Sequence, residues 1–188
     1  VGKQLFRNYA GYLIDLLKCS RSGDDGIKKL FTEIHGEEII NQWKNKGGIL
    51  LTIHMGNWEL AAQYLSSLNR KINMIYHPDF ITFVEKFRSY IRGKKNIQEY
   101  ISLSSPFAFI RLLNTLKNRE FIALQGDRIV GGRFIDVPFF GRNASFPIGH
   151  IYISKASGAN IIPIFCLMRK DGQYALHIEN PVIVDPDE

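Results

Sequence analysis

The run His54-Met55-Gly56-Asn57-Trp58-Glu59 sets an imidazole and a carboxylate five positions apart. On one continuous helix that offset separates two side chains by about 140°, too far to cooperate. Here a Gly-Asn turn intervenes. Gly56 lets the backbone bend sharply, and Asn57 is a residue type that starts helices. Glu59 then falls in a helix's first turn, a favourable place for a negative charge, and the bend allows it to fold back beneath the ring. A carboxylate on one imidazole nitrogen fixes the tautomer and stabilises the imidazolium, leaving the other nitrogen to accept a proton. No Ser or Cys nucleophile stands beside His54. The chemistry this predicts is direct: His54 deprotonates a substrate hydroxyl, whose oxygen attacks an acyl carbonyl. A thioester donor suits it, because a thiolate leaves without strong acid assistance. The bare spacing also fits a histidine that only satisfies hydrogen bonds at a strand end. The whole string at a strand-to-helix junction favours a dyad of His54 and Glu59.

The flanking elements must deliver those groups. Ile49-Leu50-Leu51-Thr52-Ile53 is a short apolar run rich in β-formers, the pattern of a buried parallel strand, with His54 at its carboxyl end. Asn57 caps a helix through Glu59, Leu60, Ala61, Tyr64 and Leu65. The alternation continues with strand 72–76, helix 80–92, strand 97–101, helix 106–117, strand 121–124, strand 134–137, helix 148–157, strand 161–167 and hairpin strand 174–179. Pro106 and Pro147 each suit a helix's first turn. Upstream, helices at 3–18 and 37–46 flank a loop-like stretch from Ser20 to Gly26. Strands alternating with helices imply an α/β fold, a mostly parallel mixed sheet flanked by helices in a single domain over residues 1–188. In such sheets sites gather at the carboxyl ends of strands. Two ends carry unusual residues: Thr52-Ile53-His54 and Leu124-Gln125-Gly126-Asp127-Arg128.

Composition bounds the partners. Hydrophobic content of 45% and charged content of 22% over 188 residues give a chain able to bury a core and exclude global disorder. The 13 phenylalanines suit a large core or an apolar ligand tunnel. A net charge of +6 and a pI near 9.3 favour anionic partners such as phospholipid head groups, phosphorylated glycolipids, an acidic carrier protein or nucleic acid, and equally serve plain solubility. Cys19 and Cys166 lack CxxC spacing and read as reduced, buried thiols, with no zinc pattern. No stretch approaches the roughly 20 apolar residues of a membrane-spanning helix. Between Lys3 and Lys18, Phe6, Tyr9, Leu13, Leu16 and Leu17 fall at helical spacing beside Lys3, Arg7 and Lys18. Such a helix lies on a membrane surface or packs on its own domain.

Further along, Ile75-Tyr76-His77-Pro78, Gln125-Gly126-Asp127-Arg128 and Val137-Pro138-Phe139-Phe140-Gly141 follow the first string. Then come Ala144 through Pro147, Gly149, Gly158-Ala159 and Ile162-Pro163-Ile164-Phe165. In order and spacing these resemble the lipid A biosynthesis (late) acyltransferase family of the lysophospholipid acyltransferase superfamily, over roughly residues 48–181. The resemblance implies that His54 and Glu59 are the catalytic dyad and that Asp127 and Arg128 line the same site. Asn57, His77, Asp127, Arg128, Arg133, Phe139, Phe140 and Arg142 are the candidate substrate-binding residues. Asp127 either orients His54 from another strand end or caps its own loop. Arg128, Arg133 and Arg142 either bind phosphates of the acceptor or of a carrier's pantetheine arm, or form a solvated basic face. Phe139 and Phe140 either wall an acyl groove or pack in the core. Trp58 packs beside the catalytic turn. One departure is His77, where family members often have a permanently charged Arg.

The same resemblance implies an O-acyltransferase with a lysophospholipid acyltransferase-like fold. Its donor is acyl-carrier protein or acyl-CoA, and its acceptor a membrane glycolipid such as a lipid A precursor. It implies no metal and no bound cofactor, and no nucleic-acid partner. The place of work is the cytoplasmic face of a bacterial inner membrane, reached peripherally or through a segment outside this chain. Rival readings are acylation of another lipid or metabolite, an esterase or thioesterase in which water replaces the acceptor, and a basic lipid- or nucleic-acid-binding module that does not need His54.

Overall fold

Short apolar runs of Ile, Leu and Val bounded by turns cannot span a helix's length, so they pair side by side as strands. The computed structural model describes residues 2–68, 70–76, 86, 99–102 and 106–185. In chain order it contains α1 (Gly2–Lys28), β1 (Phe31–His35), α2 (Glu37–Trp43), β2 (Gly48–Thr52), α3 (Trp58–Ser67), β3 (Ile72–Tyr76), β4 (Glu99–Ser102), β5 (Phe121–Gln125), β6 (Phe134–Phe139) and β7 (Arg142–Pro147). Helices here called α4 (Ala108–Lys117) and α5 (Gly149–Ser157) and strands β8 (Ile161–Met168) and β9 (Tyr174–Ile178) complete the described part. Seven strands form one sheet in the order β1-β9-β8-β2-β5-β3-β4, and β6 and β7 form a separate ribbon. Within the main sheet only β8 and β9 run antiparallel among the described pairings, which makes it a mostly parallel mixed sheet, as expected.

Both faces of that sheet are apolar, as helices on both sides require. Ile49, Ile122 and Ile161 form one core with Leu112 and Leu116 of α4 and Ile153 of α5. Their strand neighbours Leu50, Ile162 and Ile164 form the other core with Leu60, Ala61 and Leu65 of α3. Each buried Ile or Leu among them contributes roughly 1.5–3 kcal/mol by leaving water. These two cores hold the carboxyl ends of β2 and β5 rigidly between helices.

The structure departs from the sequence reading in several places. The stretch from Ser20 to Gly26 is not a loop: α1 runs through it, interrupted at Gly23, whose φ of 65° leaves the helical region. β1 lies in a stretch for which no element is predicted; its mixed polar pattern reflects a sheet-edge position. Pro147 ends β7 rather than opening a helix, because it pairs with Phe134. Pro106 sits in a turn ahead of α4 rather than in its first turn. The expected helix at 80–92 lies outside the described residues apart from Lys86, as does His77.

The N-terminal helix divides its stripe. Tyr12, Leu16, Cys19 and Ile27 are buried, while Leu5, Phe6 and Tyr9 are exposed. No helix among the described residues is long and apolar enough to cross a membrane.

Candidate active site

β2 and β5 are neighbours and run parallel, with Leu51 beside Leu124 and Thr52 beside Gln125. One more ladder bond follows, from Gly126 N–H to the Thr52 carbonyl at 2.9 Å. The next residues in register are His54 and Asp127. The Asp127 carboxylate takes two hydrogen bonds from His54, one from its backbone N–H to Oδ2 (3.0 Å) and one from ring Nδ1 to Oδ1 (2.8 Å). A carboxylate offers only acceptors, so Nδ1 carries the hydrogen, and in the neutral ring the lone pair is then on Nε2. Both side chains stay partly open to solvent, His54 at 39% and Asp127 at 25%. A base that must reach a substrate proton needs that opening.

The bend after His54 is dictated by close packing. Gly56 has a φ of 62°, and a Cβ there would fall 1.7 Å from the Cys166 carbonyl oxygen of β8. Only glycine fits. Asn57 N–H donates to that same carbonyl at 3.2 Å. The Asn57 side chain then accepts from Leu60 N–H at 3.1 Å, closing the first turn of α3. Asn57 is fully buried. Its side chain faces inward and holds the helix start. Cys166 is buried too, and burial pushes its thiol up to about 12, so it stays protonated and is no nucleophile.

The remaining predicted residues fall into two groups. Glu59 is buried in the first turn of α3. The carboxylate hydrogen-bonded to His54 Nδ1 is that of Asp127, the residue for which the sequence left orientation of His54 and loop capping open. Arg128 follows it and is exposed. Arg133, Phe139, Phe140 and Arg142 belong to the β6–β7 ribbon and its approach. Arg133 donates to Tyr152 Oη at 3.1 Å and lies over the Tyr152 ring, 5.6 Å from its centre. Phe139 is 50% exposed and Phe140 93%. Core packing of this pair, one of the two readings above, is thereby excluded. Phe140 also holds a φ of 50°, beside Gly141 at 77°. That left-handed region costs a side-chain-bearing residue roughly 1–2 kcal/mol.

Two features were not anticipated. Between the sheet and α3 lies a small apolar recess, lined by Leu50, Trp58, Ala61, Leu65, Leu124 and Ile164, with Thr52 at the strand end. Ala61, Ala62 and Ala123 leave the room that larger residues would fill. The second is His150 of α5, whose ring would lie 3.6 Å from a Cβ placed on Gly126, directly before Asp127. Burial lowers its pKa from 6.5, favouring the neutral ring. No spacing rule links positions 126 and 150.

Comparison with known proteins bears on this site. A model of the bacterial lipid A biosynthesis acyltransferase family matches residues 1–188. The chain is also similar to a phosphatidylinositol mannoside acyltransferase of Mycolicibacterium smegmatis, 25% identical over 138 residues. That match covers 68% of this chain and 42% of the relative, so the chain spans less than half of that relative's length.

Proposed function

The chain belongs to the bacterial lipid A biosynthesis acyltransferase family, and on that premise we propose that it moves an acyl group from a thioester onto a hydroxyl of a membrane glycolipid. The observation that carries this reading is the His54–Asp127 pair at adjacent strand ends, bonded through Nδ1. In the proposed step Nε2 takes the hydroxyl proton as the oxygen bonds to the acyl carbon. The carbon–sulfur bond then breaks, and the imidazolium returns its proton to the departing thiolate. Asp127 steadies the charged ring while it exists. Glu59 enters as a second carboxylate, buried in the helix turn just after His54, and in this reading it supports the dyad from below.

For the donor, the family resemblance favours an acyl-carrier protein over acyl-CoA; the net charge of +6 suits an acidic carrier and the phosphates of acyl-CoA alike. For the acceptor, a lipid A precursor and a phosphatidylinositol mannoside are the two candidates that the family and the relative suggest. The proposed place of work is the cytoplasmic face of the inner membrane, where a soluble thioester meets a lipid, and the reaction calls for no metal or further cofactor.

The test is an assay of the protein with labelled acyl-carrier protein, and acyl-CoA in parallel, over a bacterial lipid extract, with products identified by mass spectrometry. A labelled lipid ester is expected, falling on the order of 10³-fold or more in His54→Ala. Release of free fatty acid without any lipid ester would replace this reading with a hydrolase.

A further inference from the structure

Six of the exposed large hydrophobic residues among those described fall in one short stretch: Ile129, Val130, Phe134, Ile135, Phe139 and Phe140. Scattered single apolar residues on a surface need no explanation, whereas a contiguous group marks an interaction site. The register of β6 and β7 sets Ile135 opposite Phe146, Val137 opposite Ala144 and Phe139 opposite Arg142, so these share one face, while Phe134, opposite Pro147, lies on the other with Asp136. The Phe139 ring packs edge-on against Phe140 at 4.6 Å and Phe146 at 5.3 Å. At the tip, Phe140 and Gly141 both have positive φ, a pattern that favours Asn-Gly. A bulky ring instead occupies the strained position and is 93% exposed. Neither folding nor solubility gains from that choice, and strain kept at an exposed tip points to function.

The charges around it are basic. Arg142 stands beside the tip, Arg128 and Arg133 precede β6, and all three are exposed. The ribbon's one acid, Asp136, lies on the other face and is hydrogen-bonded to Ser145. We infer that the β6–β7 ribbon is a wedge that enters an anionic lipid surface, with Phe140 and Phe139 among the upper acyl chains and Arg142 at the phosphates. Aromatic rings and arginines are suited to those two depths. The inference rests on the reading that the acceptor is a membrane lipid. The chain runs from Asp127 and Arg128 directly into the ribbon, so insertion would hold the strand-end site at the surface where the acceptor's hydroxyl lies.

Phe140→Asn gives the turn its preferred Asn-Gly pair. It should fold at least as stably as wild type while sedimenting with phosphatidylcholine–phosphatidylglycerol vesicles on the order of tenfold more weakly. Arg142→Gln should weaken that binding about fivefold and flatten its salt dependence. Phe140→Trp should give emission that shifts to the blue on the mixed vesicles beyond any wild-type change. His54→Ala should bind vesicles as wild type does, which separates this inference from the proposed catalysis. Three results overturn it: Phe140→Asn binding as tightly as wild type, binding lost instead when Leu5 and Phe6 are changed to Ser, or a wild-type oligomer that Phe140→Asn dissolves.

Discussion

The strand ends that carry His54 and Asp127 and the ribbon of β6 and β7 are joined by a few residues, yet they are held in different ways. At the strand ends nearly every group is fixed by something distant in sequence. The Asp127 carboxylate meets both His54 nitrogens that can donate, and the Cys166 carbonyl presses against Gly56. The ribbon is held by its own register and its own turn, and it shows its apolar face to water. A group that must transfer a proton has to be placed within a fraction of an ångström, which a packed sheet supplies. A surface that meets a fluid partner needs only to present the right chemistry. The contrast predicts that substitutions at the strand ends will damage chemistry or folding, while those on the ribbon will leave folding intact.

The largest effect in that contrast should come from Asp127→Asn. An amide presents one oxygen and one NH2 group where the carboxylate has two acceptors. Whichever way it turns, one of the two His54 bonds is lost or the ring must offer a lone pair to the amide. In the second case the proton moves to Nε2, where the substrate's proton should go. Turnover should fall on the order of 10²–10⁴-fold with little change in KM. Circular dichroism should show an unchanged fold. A variant with near-normal turnover would mean that Asp127 only ties down its loop, and that the ring is held from elsewhere.

The glycines sharpen the comparison further. Gly56→Ala sets a methyl group 1.7 Å from a backbone oxygen, whereas a Cβ on Gly132 meets nothing within 4 Å although both glycines have positive φ. The first substitution should cost about 3 kcal/mol or more, because backbone must move. The second should cost only about 1 kcal/mol of conformational strain. Urea unfolding of the two variants against wild type measures the difference directly. Equal losses would show that the His54 bend is far more pliable than its packing suggests.

How much of this was legible depends on which interactions are local. The apolar run ending at His54 and the Asn57 cap were readable, because strand composition and capping act over a few residues. Asp127 was found as a strand-end acid, and its pairing with His54 was one of two open readings; the sequence could not choose between them, since β3 and β4 separate β2 from β5 in the chain and only the folded order makes them neighbours. Sequence proximity drew attention to Glu59 as the ring's partner for the same reason. β7 went unread because Arg142, Asn143, Ser145 and Pro147 have poor strand propensity. Its pairing with β6 overrides that. The exposure of Phe140 was also hidden. Phe is usually inside, and only the turn's positive φ turns this one outward.

The smallest expected effect concerns His150, on the strand-end side. Its ring lies beside Gly126, and burial lowers its pKa from 6.5. The unfolded chain therefore takes up that proton more readily than the folded one, so stability is complete above pH 6.5 and declines as pH falls below it. One proton can set a slope of at most about 1.4 kcal/mol per pH unit, and only until the folded ring also titrates. His150→Gln removes the group, so its melting temperature should fall less steeply than wild type's on acidification below that point. The ribbon has no histidine between Phe134 and Pro147, so vesicle binding by the two proteins should follow the same course over that pH range. If the variant's acid slope equals that of wild type, burial of this imidazole contributes nothing to the acid sensitivity of the strand ends.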